Sequence, residues 1–155
     1  MARWQEFEQQ APEIAAGGRA LIYQHGIGLG YLATVRRDGG PRIHPFCPII
    51  AAGGLYGLIG PSPKRHDLRR DPRAAIHAFP AEAVDDEFFL QVLAMPIDDA
   101  AVRQAVVETY RATGGNTSND ELLFEFDIER ALLATYEKRP SWPPLYRKWA
   151  AKGES

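Results

Sequence analysis

The sequence predicts an α+β fold in which an antiparallel sheet, open or closed into a barrel, carries helices at its periphery. Stretches rich in β-forming residues are joined by tight turns that contain glycine, which is typical of antiparallel hairpins. Helical segments are inserted between groups of strands and do not alternate with single strands, so a parallel sheet is not expected. The chain has 155 residues and no internal repeat, and we expect it to form a single domain, 1–155.

Two helices and three strands are expected in the first 60 residues. The helices cover 3–16 and 18–25 with a break at Gly17-Gly18, and they make up an N-terminal segment, 1–28. Glycine-containing turns at 38–41 and 53–54 separate the strands, because glycine accepts a positive φ without strain. The three strands are expected at 30–36, 42–51 and 55–60.

The second half of the chain reads as strands around one amphipathic helix. Strands are expected at 73–79 and 87–97, and a final strand region at 122–136. The helix begins at Asp98-Asp99 and runs to about Thr113. Its apolar residues are spaced for one buried face: Ile97, Ala101, Val102, Ala105, Val106 and Tyr110. A polar loop covers 116–120, and 138–155 form a C-terminal extension.

A basic helix is expected directly after the third strand, in the stretch GPSPKRHDLRRDP. Ser62 reads as the N-cap with Pro63 at the first helical position, and Asp71 before Pro72 marks the end. Lys64 and Arg65 then lie at the positive end of the helix dipole, which disfavours cations unless an anion binds there. The pattern therefore fits either a phosphate site or a solvated basic face.

Composition and charge restrict the function. The net charge is −2, so binding to nucleic acid or membranes through overall charge is not expected. The single cysteine excludes an internal disulfide and a cysteine-rich zinc site, and the four histidines lack metal-ligand spacing, so no metal is expected. No segment has the length of a signal peptide or of a membrane span, which predicts a cytoplasmic protein.

An ordered set of stretches resembles the pyridoxamine 5'-phosphate oxidase-like family of FMN-binding split barrels. The stretches are LATVRRDGGPRIHPF, GLYGLIGPSPKRHDLRRDPRAAIHAF and EFFLQVLAMPID, followed by LLFEFDIERALLATY. The most specific piece is the Ser-x-Lys of Ser62 and Lys64, followed by a leucine and RDPR. The resemblance implies an antiparallel split β-barrel with peripheral helices.

The resemblance also implies a homodimer that holds FMN at its interface and acts as an oxidoreductase on a small molecule. The flavin ring system would lie along the second strand, and the phosphate near the start of the basic helix. Ser62 and Lys64 match the phosphate-binding positions, with Arg65 as a helper, and His44 and its neighbours are favoured near the ring. The flavin would carry the electrons, and the sequence identifies no catalytic side chain. The expected cofactor-binding residues are Arg42, His44, Pro45, Phe46, Ile59, Gly60, Pro61, Ser62, Lys64 and Arg65.

Alternation of side chains along the second strand leaves its orientation open. Arg42, His44 and Phe46 share one face, and Ile43, Pro45 and Cys47 share the other. Period two alone does not say which set meets the flavin. The backbone of Ile59, Gly60 and Pro61 would approach the ring edge or the ribityl chain.

Departures from the oxidase itself concern the substrate more than the cofactor. Pro63 and the run Pro45–Pro48 stand where the oxidase has basic residues, which weakens the case for a vitamin phosphate as substrate. The C-terminal extension does not match the oxidase ending. Its aromatic and basic residues would cover the flavin edge or the partner subunit, or pack on the surface as a tail: Trp142, Tyr146, Arg147, Lys148 and Trp149.

Two alternatives from other classes stay open. A split barrel also accommodates a deazaflavin or a haem, so either group would be an alternative to FMN. The second alternative is a nucleic-acid-binding module that uses the 64–70 helix, with Lys64, Arg65, Arg69 and Arg70 as its basic face. The net charge and the lack of aromatic residues in this helix argue against nucleic acid.

Overall fold

The computed structural model describes residues 1–136 and 142–153, in which four helices surround one curled antiparallel sheet. The helices are α1 Trp4–Gln10, α2 Pro12–Ile22, α3 Pro63–Arg70 and α4 Ala100–Ala112. The strands are β1 Gly30–Val35, β2 Pro41–Phe46, β3 Ile49–Ala51, β4 Gly54–Ile59, β5 Arg73–Ala78, β6 Glu87–Pro96, β7 Leu122–Thr135 and β8 Leu145–Ala150. The expected antiparallel α+β architecture is confirmed.

The sheet curls into a half-open barrel. Its strand order is β2-β1-β5-β6-β7-β4-β3, with β8 added on β7. Although β2 and β3 lie at opposite ends of this order, only Cys47 and Pro48 connect them, so the two ends of the sheet approach each other. The ring of Phe46 on β2 meets that of Phe126 on β7 edge to face, with centroids 5.9 Å apart. A Cβ on Gly57 of β4 would stand 3.4 Å from the Phe46 ring, so the gap between β2 and β4 is narrow at this end.

The core fills the concave side of the sheet. Alternate side chains of β6 are buried from Phe88 to Ala94, as period two requires for a strand with one buried face. Helices α1 and α2 close this side through Trp4, Phe7 and Ile22, and the Trp4 and Phe88 rings meet at 6.3 Å. Burying each of these large side chains contributes about 2 kcal/mol, so the core dominates the stability of the fold.

A second apolar cluster lies beneath α4. The expected helix is confirmed, and its N-cap Asp99 accepts a hydrogen bond from the Val102 amide at 2.9 Å. Val106 is buried among residues of β3, β4 and β7, whereas Ala101 is exposed. The expected apolar face is thus centred on Val102, Val106 and Tyr110.

The break between the first two helices lies at Ala11-Pro12, so the expected break at Gly17-Gly18 is wrong. Proline fits the first position of a helix because it has no N–H to pair there. Gly17 and Gly18 lie inside α2, where they allow the helix to approach β6 and β7. A Cβ on Gly18 would stand 2.4 Å from the Phe88 ring.

Gly18→Ala is expected to lower the stability of the protein by about 1–2 kcal/mol, because overpacking against a buried ring outweighs the better helix propensity of alanine. Thermal unfolding monitored by circular dichroism measures this change. Gly17→Ala is the matched variant, since its Cβ would meet the end of the Leu133 side chain, which has more freedom to shift. An equal or raised midpoint for Gly18→Ala would contradict the packing argument.

Two strand expectations need correction. The expected strand 42–51 is divided into β2 and β3, since Pro48 has no N–H to donate to a ladder. Residues 145–150 of the C-terminal extension form β8, which pairs with β7, and the Trp149 ring packs 5.0 Å from that of Phe7. Trp149 is therefore part of the barrel's own packing and not a loose tail. Residues 137–141 and 154–155 of the chain lie outside the described residues.

Candidate functional site

The site expected from the sequence lies where α3 crosses one end of the barrel beside β1 and β2. The helix begins at Pro63 as expected, and Ser62 occupies the N-cap position. The expected side-chain cap is wrong, because the Ser62 hydroxyl donates to the Gly60 carbonyl at 3.0 Å. Since no side chain caps α3 and its first turn has no acidic residue, its positive end is left uncompensated.

Asp67 anchors α3 to the sheet. Its side chain is 4% exposed and accepts hydrogen bonds from Arg42 Nε at 2.7 Å and from the Thr34 hydroxyl at 2.8 Å. Arg70 completes the set at 3.1 Å and also donates to the Val35 carbonyl. Burial alone would raise the pKa of Asp67, but these hydrogen bonds outweigh it and hold the pKa below its usual range.

This anchor changes the roles expected for two cations. Arg70, which the sequence assigns to the basic face of the helix, is a structural cation that links α3 to β1. Arg42 faces the expected site, but its Nε donates a hydrogen bond to Asp67, so the charge of Arg42 is partly neutralised. Sequence reasoning missed Asp67 and Thr34. The one available signal was an isolated acid among the cations of a short helix.

The concave side of the sheet receives Arg42, His44 and Phe46. Along β2 these residues are half-buried or buried, whereas Ile43 and Pro45 face outwards, with Ile43 66% exposed. Pro45 is therefore on the opposite face of the strand from the other expected β2 residues. The alternation of side chains did not say which face of β2 meets the expected site. In the single chain, Arg42 and His44 lie on the face against which α3 packs.

His44 has an unusual environment. Its Nε2 is buried and has no hydrogen-bond partner among the described residues. Burial lowers the pKa of His44, and the nearby cations Lys64 and Arg42 lower it further, while Asp67 opposes them. The imidazole is therefore neutral at pH 7 and lies within electrostatic reach of the start of α3.

Lys64 and Arg65 differ in the hydrogen bonds that they make with the rest of the chain. Arg65 donates to the Asp120 carbonyl at 2.6 Å, which ties α3 to the loop before β7. Lys64 makes no hydrogen bond or ion pair with the residues that the structure describes, and its amide, in the first turn, has no acceptor within the helix. Lys64 therefore offers both a charge and an N–H to a ligand.

The remaining expected residues connect β4 to this helix. Ile59 is buried and ends β4, Gly60 and Ser62 are half-buried, and Pro61 is exposed. They form the short link that brings the Ser62 and Lys64 positions next to the inner face of β2. A Cβ on Gly60 would meet nothing within 4 Å, so this link borders open space.

Residues 1–136 and 142–153 lack two further features. No group of three or more His, Cys, Asp or Glu side chains there is arranged to hold a metal ion. No helix there combines the length and the apolar character that a membrane crossing requires.

The comparisons with known proteins give no sequence match: neither a protein-family model nor a curated protein matches the chain. Solved structures do match. A haem-binding protein from Mycobacterium smegmatis has TM-score 0.65 and 18% identity over 87% of this chain and 57% of its own, so the chain spans little more than half of that protein.

Two other solved structures are matched over nearly their whole length. A provisionally named pyridoxamine 5'-phosphate oxidase from Listeria innocua has TM-score 0.61 and 19% identity, over 74% of this chain and 93% of its own. A NimC/NimA family protein from Clostridium acetobutylicum has TM-score 0.65 and 19% identity, over 89% of this chain and 94% of its own. At such identities the likeness establishes the fold, and the chain has the split-barrel fold of the pyridoxamine 5'-phosphate oxidase-like proteins.

Proposed function

We propose that this protein binds FMN and acts as a flavin-dependent oxidoreductase on a small molecule. The observation that carries the proposal is Lys64, a cation without a partner among the described residues, at a helix start that no side chain caps. A phosphate ester supplies the anion that this arrangement lacks, because ammonium, amide and dipole all favour negative charge.

The chain's own residues fit an FMN phosphate and ring. Lys64 would pair with the phosphate, and the rotatable Ser62 hydroxyl would turn from the Gly60 carbonyl to donate to it. Arg65 would also donate to the phosphate, through those of its N–H groups that do not bind the Asp120 carbonyl. The edge of β2, which ends the strand order, and the link 59–61 would support the ring and the ribityl chain next to the partner subunit. When bound, the flavin supplies the electron transfer, and the protein sets its position and the substrate's approach.

We also propose that the protein is a homodimer with the flavin at the subunit interface. The outer face of β1, β2 and β5 has a depression of about 460 Å³ that extends to β6 and β7. Small or apolar residues of β1, β2 and β5 line it together with the polar Arg73, Gln91 and Glu129. Ile43 and Met95 are exposed to 66% and 45% on the outer side of this sheet. Exposed apolar surface of this kind is typical of an interface between subunits.

Ile43→Glu is expected to shift a dimer towards monomer, since a buried, unpaired carboxylate at an apolar interface is costly. Size-exclusion chromatography with light scattering measures the mass, and retained FMN is measured on the same fractions. Glu82→Gln, at an exposed site outside the strands, is the control. A monomeric wild-type protein, or a dimer that Ile43→Glu leaves intact, would contradict this interface.

The absorption spectrum of the purified protein tests the cofactor. We expect the two visible and near-ultraviolet bands of an oxidised flavin and, after denaturation, the mass of FMN in the released fraction. A colourless protein that does not bind added FMN would contradict the proposal. The cytoplasmic location expected from the sequence stays a prediction.

A haem-binding role is the second candidate. It is favoured by the likeness to the Mycobacterium smegmatis protein, which binds haem and has the same fold. The same spectrum separates the two, because haem gives an intense Soret band and releases no flavin. A deazaflavin would be recognised by its mass.

The nucleic-acid alternative is weakened by the contacts of the basic helix. Of its four Lys and Arg side chains, Arg65 and Arg70 donate to carbonyl oxygens of the chain itself. Binding of DNA or RNA that falls steeply with salt would revive this alternative.

A further inference from the structure

The unpartnered Nε2 of His44 lies in a cluster of charges whose balance is positive. On its own strand His44 has Arg42 as a neighbour. Arg42 donates to Asp67 of α3, and Lys64 lies one turn before Asp67 on that helix, so the charges of all three act on the imidazole. From β1 the residue opposite His44 in the ladder is Leu32, which carries no charge. The carboxylate of Asp67 accepts hydrogen bonds from Arg42, Arg70 and Thr34, and it is not a hydrogen-bond partner of the imidazole.

Burial and this cluster together make His44 a neutral base beside cations. A buried polar nitrogen without a partner is costly, which favours any state of the protein that satisfies it. A bound phosphate would bring up to two negative charges to Lys64, and would thereby reverse the sign of the field at the imidazole. The contribution of the cations is then cancelled, and a hydrogen bond from the imidazolium to a phosphate oxygen would offset the cost of burying its charge.

We propose that His44 is a ligand of the FMN phosphate and takes up one proton from solvent when the phosphate binds, so that the imidazolium donates a hydrogen bond to a phosphate oxygen. The inference rests on the proposed function and sharpens it. It moves His44 from the expected ring contact to the phosphate end of the cofactor.

Uptake of one proton makes FMN affinity depend on pH in a specific way. Above about pH 6.5, where the phosphate is already mostly dianionic, the dissociation constant of FMN is expected to rise with pH, by up to about tenfold per pH unit. Riboflavin has the same ring and no phosphate, so its dissociation constant should stay flat over the same range.

The test is a titration of the full chain with FMN and with riboflavin, followed by flavin fluorescence between about pH 6.5 and pH 8.5. Calorimetry in two buffers of different ionisation enthalpy counts the proton taken up per FMN bound. His44→Arg, a permanent cation, should bind FMN with no rise in dissociation constant over this range. His44→Gln should bind FMN about tenfold more weakly than the wild type at the lower pH and should also lose the pH dependence. His66→Gln, at an exposed position of α3, should behave as the wild type.

The outcomes separate the two proposals. FMN binding that is independent of pH, or a pH dependence that survives in His44→Arg and His44→Gln, overturns the role of His44 and leaves the proposed function standing. Equal weakening of FMN and riboflavin by His44→Gln also overturns it, since the contact would then be with the ring. Failure to bind FMN at any pH overturns both.

Discussion

Lys64→Ala is expected to weaken FMN binding about tenfold to a hundredfold while leaving the fold intact. A charge-assisted hydrogen bond to a phosphate is worth about 1.5–3 kcal/mol, and each 1.4 kcal/mol changes the dissociation constant tenfold. The fold should not respond, because the Lys64 side chain makes no hydrogen bond or ion pair with the described residues. Fluorescence titration with FMN measures the affinity, and thermal unfolding without FMN measures the stability.

Arg69→Ala is the matched control for this variant. Arg69 is exposed on the same helix, and it lines a cavity of about 660 Å³ formed by Pro96–Ala100 and Arg103, away from β2. Removing its charge changes the net charge of α3 by the same amount as Lys64→Ala and should leave FMN affinity unchanged. Equal losses in the two variants would mean that FMN senses the general charge of the helix. An unchanged affinity in Lys64→Ala would contradict the phosphate site.

Asp67→Ala is expected to cost about 3 kcal/mol of stability, which lowers the unfolding midpoint by roughly 10 °C. The variant leaves the buried Thr34 hydroxyl without its acceptor, and Arg42 and Arg70 without their carboxylate. Chemical denaturation measures the free energy of unfolding. Asp85→Ala, which removes an exposed carboxylate, is the control and should change the stability little. A similar small change in Asp67→Ala would show that α3 is held by Leu68 packing alone.

The same carboxylate makes stability depend on pH. Since the folded-state pKa of Asp67 lies below the unfolded value of about 3.9, its contribution is fully present above that value. The contribution is lost as the pH falls through the folded-state pKa. The wild type should therefore lose more stability than Asp67→Asn between about pH 5 and pH 2. Parallel curves for the two proteins would contradict this role.

Local patterns predicted much of the fold. Proline at the first position and Asp71-Pro72 at the end bounded α3 correctly, since both act through the backbone of the residues next to them. The turn at Gly39, whose φ is +83°, follows from the same kind of local restriction. Strand β8 was missed because its pairing partner, β7, is specified by packing between distant segments.

The sequence predicts which residues belong to the candidate site, but not the contacts between them. Period two grouped Arg42 with His44 and Phe46, yet the curl of the whole sheet decides which side of β2 is concave. Two adjacent glycines predict a helix break at Gly17-Gly18, but α2 needs them to approach Phe88 and Leu133. In each case the deciding neighbour is far away in sequence.

By itself the sequence determined the number and kind of most elements, the basic helix after β4 and the placing of Ser62 and Lys64 at its start, because backbone preferences and side-chain period act over a few residues. Only the tertiary structure decided that Asp67 binds Arg42 and Arg70, that Arg65 is held by the Asp120 carbonyl, and that the charges of Arg42 and Lys64 act on the buried His44. The reason is that pairing between charges depends on distances across the barrel, which residue spacing does not contain.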